Sequence, residues 1–407
     1  MQGAADGGDV LPYCRPYWDD DEIAALAGTL KTGMWTGGRQ VPAFEEALTR
    51  LTGAPVVCTS SGTTAVYALL RVLGERDEGP KLLISPTLNF VAGPAAARLL
   101  GWDVALCDID PDDLTMSAES LAELLTRLGR RYGTVVVLPV HYAGHTCDMR
   151  RIAEVCADAG AHLVEDACHA IGARYADGGA PVGSWPGVTA SYFSFHPTKP
   201  VAAGEGGAVA THDPALLRRL RELRNHGMLP VPLDGGDGGD DGERGADGPW
   251  PYDIAEPGLN LRLSDLHAAI GAVQVARAEQ SRTERVRLAD RYYRALRACG
   301  AVRPVPARLR PGSAHHLFPV VFDTAALETT RRDVLRFFHD RRIRCQVHYT
   351  PLHRLRAFGG LPASLRTSFD VAENVSRGLV SLPLWRGMTD RDQDRVIEAV
   401  GALTGSA

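Results

Sequence analysis

Lysine is nearly absent from this chain: of 44 Lys and Arg residues, only Lys31, Lys81 and Lys199 are lysines. Positive charge is written as arginine almost everywhere, so each remaining lysine needs a reason. Basic excess is absent too. With 49 Asp and Glu residues the formal net charge is −5, which supplies neither a nucleic-acid patch nor a polybasic membrane signal. Clustered cysteine is missing: Cys14, Cys58, Cys107, Cys147, Cys156, Cys168, Cys299 and Cys345 include no Cys-x-x-Cys pair. That spacing suits neither a zinc site nor a disulfide framework, and no metal is expected. No apolar run approaches the length of a membrane span. The Gly-, Ala- and Asp-rich start has no basic region followed by an apolar core, so it does not read as a signal peptide. These absences lead to the expectation of a soluble, cytoplasmic protein with reduced thiols.

What is present is a long alternation of two periodicities. Short apolar runs at Val56–Cys58, Leu82–Ile84, Val104–Leu106, Val135–Leu138 and His162–Val164 read as buried strands. Between them Ala65–Leu73, Val91–Leu100, Ala118–Leu128 and Asp148–Ala159 carry helical apolar spacing. Strands that alternate with helices are joined by crossovers, which implies an α/β fold with a mostly parallel sheet between helices. Ligands of such sheets lie beyond the carboxyl ends of the strands. Residues 232–249 are rich in Gly and Asp and have nothing to bury, so they read as a flexible acidic loop, either a lid or a plain surface insertion. An amphipathic stretch over Ser264–Ala298, with Ser264-Asp265 as its cap, reads as a bridge to a second domain. Beyond it, strands at Leu317–Phe322 and Cys345–His348 mix with helices at Arg331–Asp340 and Thr389–Leu403. The division expected is a large domain over 13–263 and a smaller C-terminal α/β domain over 264–407.

The chemistry gathers at strand ends. Lys199 closes Ser194-Phe195-His196-Pro197-Thr198-Lys199, ahead of the turn Gly204-Glu205-Gly206-Gly207. A primary amine can lose its proton and condense with a carbonyl, which arginine cannot do. Asp166 directly follows the strand ending at Val164; alone it reads as a cap of the next turn. Thr59-Ser60-Ser61-Gly62-Thr63-Thr64 lies between a strand and a helix and forms an anion site, or simply a hydroxyl-rich N-cap. Ser194 could add a hydroxyl, and Phe90 a flat apolar face. A lysine, a carboxylate, an anion site and a flat wall are the four things pyridoxal phosphate needs.

With these residues in this order, the chain resembles the DegT–DnrJ family of fold-type I, pyridoxal-phosphate-dependent nucleotide-sugar aminotransferases. The match is carried by Ser61-Gly62-Thr63, Phe90-Val91-Ala92, Glu165-Asp166-Ala167-Cys168-His169-Ala170, the segments around Lys199 and Gly204–Gly207, and Arg224-Asn225-His226-Gly227. It continues through Gly258–Asp265, Gln346-Val347-His348-Tyr349 and Leu382-Pro383-Leu384.

The resemblance implies that Lys199 binds the cofactor covalently and then shuttles protons. It implies that Asp166 binds the pyridine nitrogen and that His169 lies near the ring hydroxyl. Ser61, Gly62, Thr63 and Ser194 would hold the phosphate, and Phe90 would stack on the ring. Asn260 matches an asparagine that reaches the phosphate of the neighbouring subunit, which implies a homodimer with composite active sites. The reaction implied moves an amino group from an amino acid, L-glutamate, to a ketone of a nucleotide-linked deoxy sugar, at C4 rather than C3. Asn89-Phe90-Val91-Ala92-Gly93-Pro94 and Leu261 depart from the family pattern near the expected acceptor pocket, which leaves a cyclitol or other non-nucleotide ketone open. A non-transaminating protein that binds the cofactor on the same fold is the remaining alternative. A dehydrase with histidine in place of the lysine is excluded by Lys199, and iron–sulfur relatives by the scattered cysteines. Gly204–Gly207 lacks the spacing of a nucleotide-binding loop.

Overall fold

The computed structural model describes residues 10–176, 179–230, 252–254 and 256–405; the expected loop at 232–249 lies outside the described residues. Seven strands build the main sheet: β1 (Val56–Thr59), β2 (Lys81–Pro86), β3 (Asp103–Cys107), β4 (Thr134–Val137), β5 (His162–Asp166), β6 (Ala190–Ser194) and β7 (Gly207–Ala210). Their spatial order is β1-β7-β6-β5-β4-β2-β3. All run parallel except β7, which pairs antiparallel with both β1 and β6.

The strands read as unbroken apolar runs because both faces are covered. Val57, Leu83, Val104, Val136 and Val164 enter one core, while Val56, Leu82, Ile84, Ala105 and Leu163 enter the other, as a period of two demands. Twelve helices follow in chain order among the described residues: α1 (Asp20–Thr32), α2 (Gln40–Thr52), α3 (Gly62–Leu73), α4 (Ala92–Leu99), α5 (Ala118–Leu128), α6 (Met149–Ala159), α7 (Pro214–Leu223), α8 (Asp265–Ala276), α9 (Ala278–Leu296), α10 (Arg331–Asp340), α11 (Asp370–Ser376) and α12 (Asp390–Thr404). Apolar stripes of α3, α4 and α7 fill the first core; those of α2, α5, α6 and α8 fill the second. This is a fold-type I architecture.

A second sheet of β10 (Val302–Pro304), β11 (Phe318–Phe322) and β12 (Leu379–Leu382) is antiparallel and follows a short hairpin of β8 (Met228–Pro230) and β9 (Tyr252–Ile254). Leu288 and Tyr292 of α9, Val334 and Phe338 of α10, and Val396 and Val400 of α12 pack on it in a third core. The chain's beginning joins this part: Leu11 bridges to Ile343, and Leu384 N–H donates to the Tyr13 carbonyl at 3.1 Å.

Differences from the sequence reading bear on the site at three places. The amphipathic stretch over Ser264–Ala298 is broken at Arg277, where α8 ends and α9 begins. Its guanidinium is drawn to Asp19 at 2.9 Å, to Glu22 at 3.2 Å and to Asp21, so the chain turns at α1. The strand expected at Cys345–His348 shrinks to a single bridge between Gln346 and Ser381, after which the chain leaves for the main sheet. Conversely β7 was not among the expected strands. It follows β6 through the turn at Gly204–Gly206 rather than a helix, and that short return is what makes it antiparallel.

Candidate active site

Neighbouring residues on a strand face opposite ways, and this decides between two adjacent carboxylates. Val164 packs on the α3 side, so Asp166 faces the same side and Glu165 the other. Glu165 Oε1 accepts from the Tyr175 hydroxyl at 2.6 Å and lies 3.2 Å from His141 Nε2, while Oε2 accepts from the Ser191 hydroxyl. Those bonds satisfy Glu165 away from the cavity. Asp166 Oδ2 accepts from the hydroxyl of Tyr192, its register partner on β6. Its Oδ1 accepts from Cys168 N–H at 3.1 Å, and together the two bonds fix how the carboxylate points.

Asp166 borders a cavity of about 290 Å³ at the carboxyl ends of β1, β5 and β6. Ser61, Gly62, Thr63, Phe90, His169, Ser194 and Lys199 line the same cavity, so eight of the nine residues expected from the sequence meet there. Lys199 sits in a turn whose N–H donates to the His196 carbonyl at 2.8 Å, and whose ends are tied by Phe195 N–H to Gly206 and Ala203 N–H to Phe195. Burial pushes the amine's pKa down, while Cys168, Asp166 and Cys14 pull it back. A depressed amine is neutral, and so nucleophilic, more of the time. His169 is fully buried. Burial holds its pKa well below the ordinary imidazole value, and Lys199 and His348 add to the effect.

The hydroxyl-rich segment expected to bind an anion is the start of α3. Ser61 Oγ caps the helix by accepting from Thr64 N–H at 3.1 Å, which leaves the first-turn N–H groups facing the cavity end. Backbone is packed closely here. A Cβ on Gly62 would lie 2.8 Å from Ser194 Cβ, and one on Gly207 only 2.2 Å from the Ser61 carbonyl oxygen. Gly207→Ala should therefore push β7 off the Ser61 loop. The expected cost is about 1–3 kcal/mol of stability, together with a loss of phosphate affinity, both measurable by thermal unfolding with and without inorganic phosphate. Unchanged melting would mean that the loop yields freely.

Asn260 stands apart. It is exposed and outside this cavity; its Oδ1 accepts from Arg262 N–H at 3.3 Å, and the Arg262 guanidinium is held by Asn225 Oδ1 at 2.5 Å. Phe90 is 54% exposed, with its ring 5.8 Å from that of Tyr349. Leu261, expected near the acceptor pocket, is instead buried in the core beside α3. Its carbonyl accepts from Ser60 N–H at 2.8 Å, so its side chain is spent on packing. Sequence reasoning missed Tyr13, Tyr192 and His316 in the cavity wall, and gave His348 and Tyr349 no role. Only Tyr192 had a local signal, since strand pairing places it opposite Asp166.

A model of the DegT/DnrJ/EryC1/StrS aminotransferase family matches residues 16–401. The chain belongs to this family. Solved structures similar to this family member include the aminotransferase TlmJ from Streptoalloteichus hindustanus, at 28% identity and a TM-score of 0.83 over 98% of this chain and 99% of that one. DesI, solved in the presence of its TDP-sugar product, matches at 27% identity and a TM-score of 0.80 over 99% and 96%. The pyridoxamine-phosphate form of the sugar aminotransferase Spr1654 from Streptococcus pneumoniae matches at 26% identity and a TM-score of 0.84 over 97% and 99%.

Proposed function

We propose that this enzyme, a pyridoxal-phosphate-dependent sugar aminotransferase, moves an amino group from L-glutamate to the C4 ketone of a nucleotide-linked deoxy sugar. The observation that carries the reading is the meeting of Lys199 and Asp166, from neighbouring strand ends, at one cavity with a helix N-terminus beside it. The residues fit the cofactor. Close packing at Gly62 and Gly207 seats the Ser61 loop against Ser194 at the cavity end, the Lys199 amine is depressed toward its neutral form, and Asp166 lines the cavity. When bound, pyridoxal phosphate supplies a carbonyl that condenses with amines and a ring that accepts electron density.

The chain's own residues do the rest. Ser61, Thr63 and Ser194 hydroxyls and the α3 N–H groups would hold the phosphate. Asp166 would hold the proton at the ring nitrogen through a charge-assisted hydrogen bond. The Lys199 amine, once released, would take a proton from one carbon and return it to another, the task of a positioned base of moderated pKa. The expected stacking role of Phe90 stays part of the proposal.

A nucleotide-linked acceptor carries phosphate charge, yet the cavity wall among the described residues contains Lys199 as its cation and no arginine. This supports a homodimer in which Asn260 and Arg262, exposed or half-exposed and outside the lining of their own cavity, serve the partner's site. Trp18 ahead of α1, Ile23 and Leu30 on it, and Met34 and Trp35 in the turn after it are exposed large apolar side chains, which suits such an interface. All eight cysteines are free, in keeping with a reducing, cytoplasmic setting. Among the described residues no helix is long and apolar enough to cross a membrane.

The test is spectroscopic and then chemical. Purified protein given pyridoxal phosphate should turn yellow and bleach when L-glutamate is added. The bleached enzyme should recover its colour on a nucleotide-linked 4-keto-6-deoxy sugar and yield the amino sugar by mass. A band that ignores glutamate would remove the donor; recovery only with a cyclitol ketone would remove the acceptor.

A further inference from the structure

Tyr349 reaches the cavity from the C-terminal part of the chain and has a hydrogen to give. Ala143 N–H donates to His169 Nδ1 at 3.3 Å, so that nitrogen carries no hydrogen of its own. Burial keeps the ring neutral, which places its single hydrogen on Nε2. Tyr349 Oη lies 3.0 Å from Nε2. The imidazole must therefore be the donor in this pair and the phenol oxygen the acceptor. The phenol's own hydrogen remains, and Oη makes no other hydrogen bond among the described residues.

Its surroundings keep that hydrogen in place. Burial, followed by the Tyr142, Asp166, Cys168 and Tyr13 side chains, pushes the phenol well above its ordinary pKa. Its position is set from both sides of the molecule. The preceding His348 Nδ1 lies 2.9 Å from Ser381 Oγ on β12, and the His348 carbonyl accepts from the Tyr142 hydroxyl. The ring borders the same cavity as Asp166 and Lys199.

We infer that Tyr349 donates the hydrogen bond to the oxygen on the cofactor ring, and that His169 is a positioning residue that holds the phenol. The inference rests on the proposed pyridoxal phosphate site. It moves the contact that the family resemblance gives to His169 onto a residue 180 positions further along the chain.

The test is the pH titration of the colour of bound pyridoxal phosphate. A donor draws charge from the ring oxygen; without it that oxygen is more negative and holds the neighbouring N–H proton more tightly. Tyr349→Phe should therefore raise the pH midpoint by about one unit. His169→Leu should shift it the same way by releasing the phenol. His169→Gln, whose amide can still donate to Oη, should stay within about 0.3 unit of the parent. The double variant Tyr349→Phe/His169→Leu should match Tyr349→Phe alone, with thermal unfolding confirming that each variant is folded. A parent-like midpoint in Tyr349→Phe would overturn the inference, as would a double variant whose shift is the sum of the two. Failure of the parent protein to develop colour would instead overturn the cofactor reading, and this inference with it.

Discussion

Lys199→Arg is expected to fold normally and to turn over at least about a thousandfold more slowly than the parent. The substitution keeps a basic group and most of the length of the side chain, so the packing of the turn changes little. What it removes is the ability to lose a proton, since a guanidinium stays charged at any working pH. Lys199 is also the one cation in the described cavity wall, and its amine is already shifted toward neutrality by burial. Steady-state transamination and a thermal melt on the same preparation check both halves of the expectation. Activity within tenfold of the parent, with melting unchanged, would show that the amine is not chemically involved.

Asp166→Asn carries the next largest effect. Asparagine preserves the shape: its single carbonyl oxygen can still accept from Cys168 N–H, and its amide NH2 then faces the Tyr192 hydroxyl, which can turn to accept, so the fold should hold. The negative charge proposed to face the ring nitrogen is gone. A hydrogen bond to a charged group contributes about 1.5–3 kcal/mol, so cofactor affinity should fall roughly 10- to 150-fold. Asp166→Ala should do the same and also melt at lower temperature, because it strands the buried Tyr192 hydroxyl. Titration of apoenzyme with pyridoxal phosphate separates the two variants. If asparagine binds the cofactor like aspartate and only alanine is impaired, Asp166 serves the packing of β5 on β6 and nothing more.

Much of this was legible before any coordinates. The helices at Ala118–Leu128 and Arg331–Asp340 have the bounds their periodicity indicates, because Ser117 and Thr330 cap them and their apolar stripes are unambiguous. The strand of Asp166 was legible because Leu163 and Val164 place an apolar residue on each face just before the carboxylates. β7 was not: Gly207-Ala208-Val209-Ala210 is short and small, and nothing in it says which way it runs. The break at Arg277 was hidden as well. Its cause is a set of carboxylates at Asp19, Asp21 and Glu22, more than 250 residues earlier. The site divides along the same line. Lys199, Asp166 and the Ser61 loop announce themselves through local motifs, whereas Tyr13, His316 and Tyr349 arrive by tertiary packing.

The antiparallel strand β7 has a further consequence, for the order in which the molecule can be made. β1, which carries the Ser61 loop, has β7 as its partner in the sheet, with Thr59 opposite Gly207. During synthesis β1 therefore emerges first and waits for a mate encoded about 150 residues later. At roughly 5–20 residues per second that delay is on the order of ten to thirty seconds. Strands β2 to β6 can assemble in the meantime, each beside neighbours already translated. The edge that carries the Ser61 loop, the proposed phosphate site, is thus the last part of the main sheet to close, and a nascent chain stalled before residue 207 would hold it exposed and unpaired.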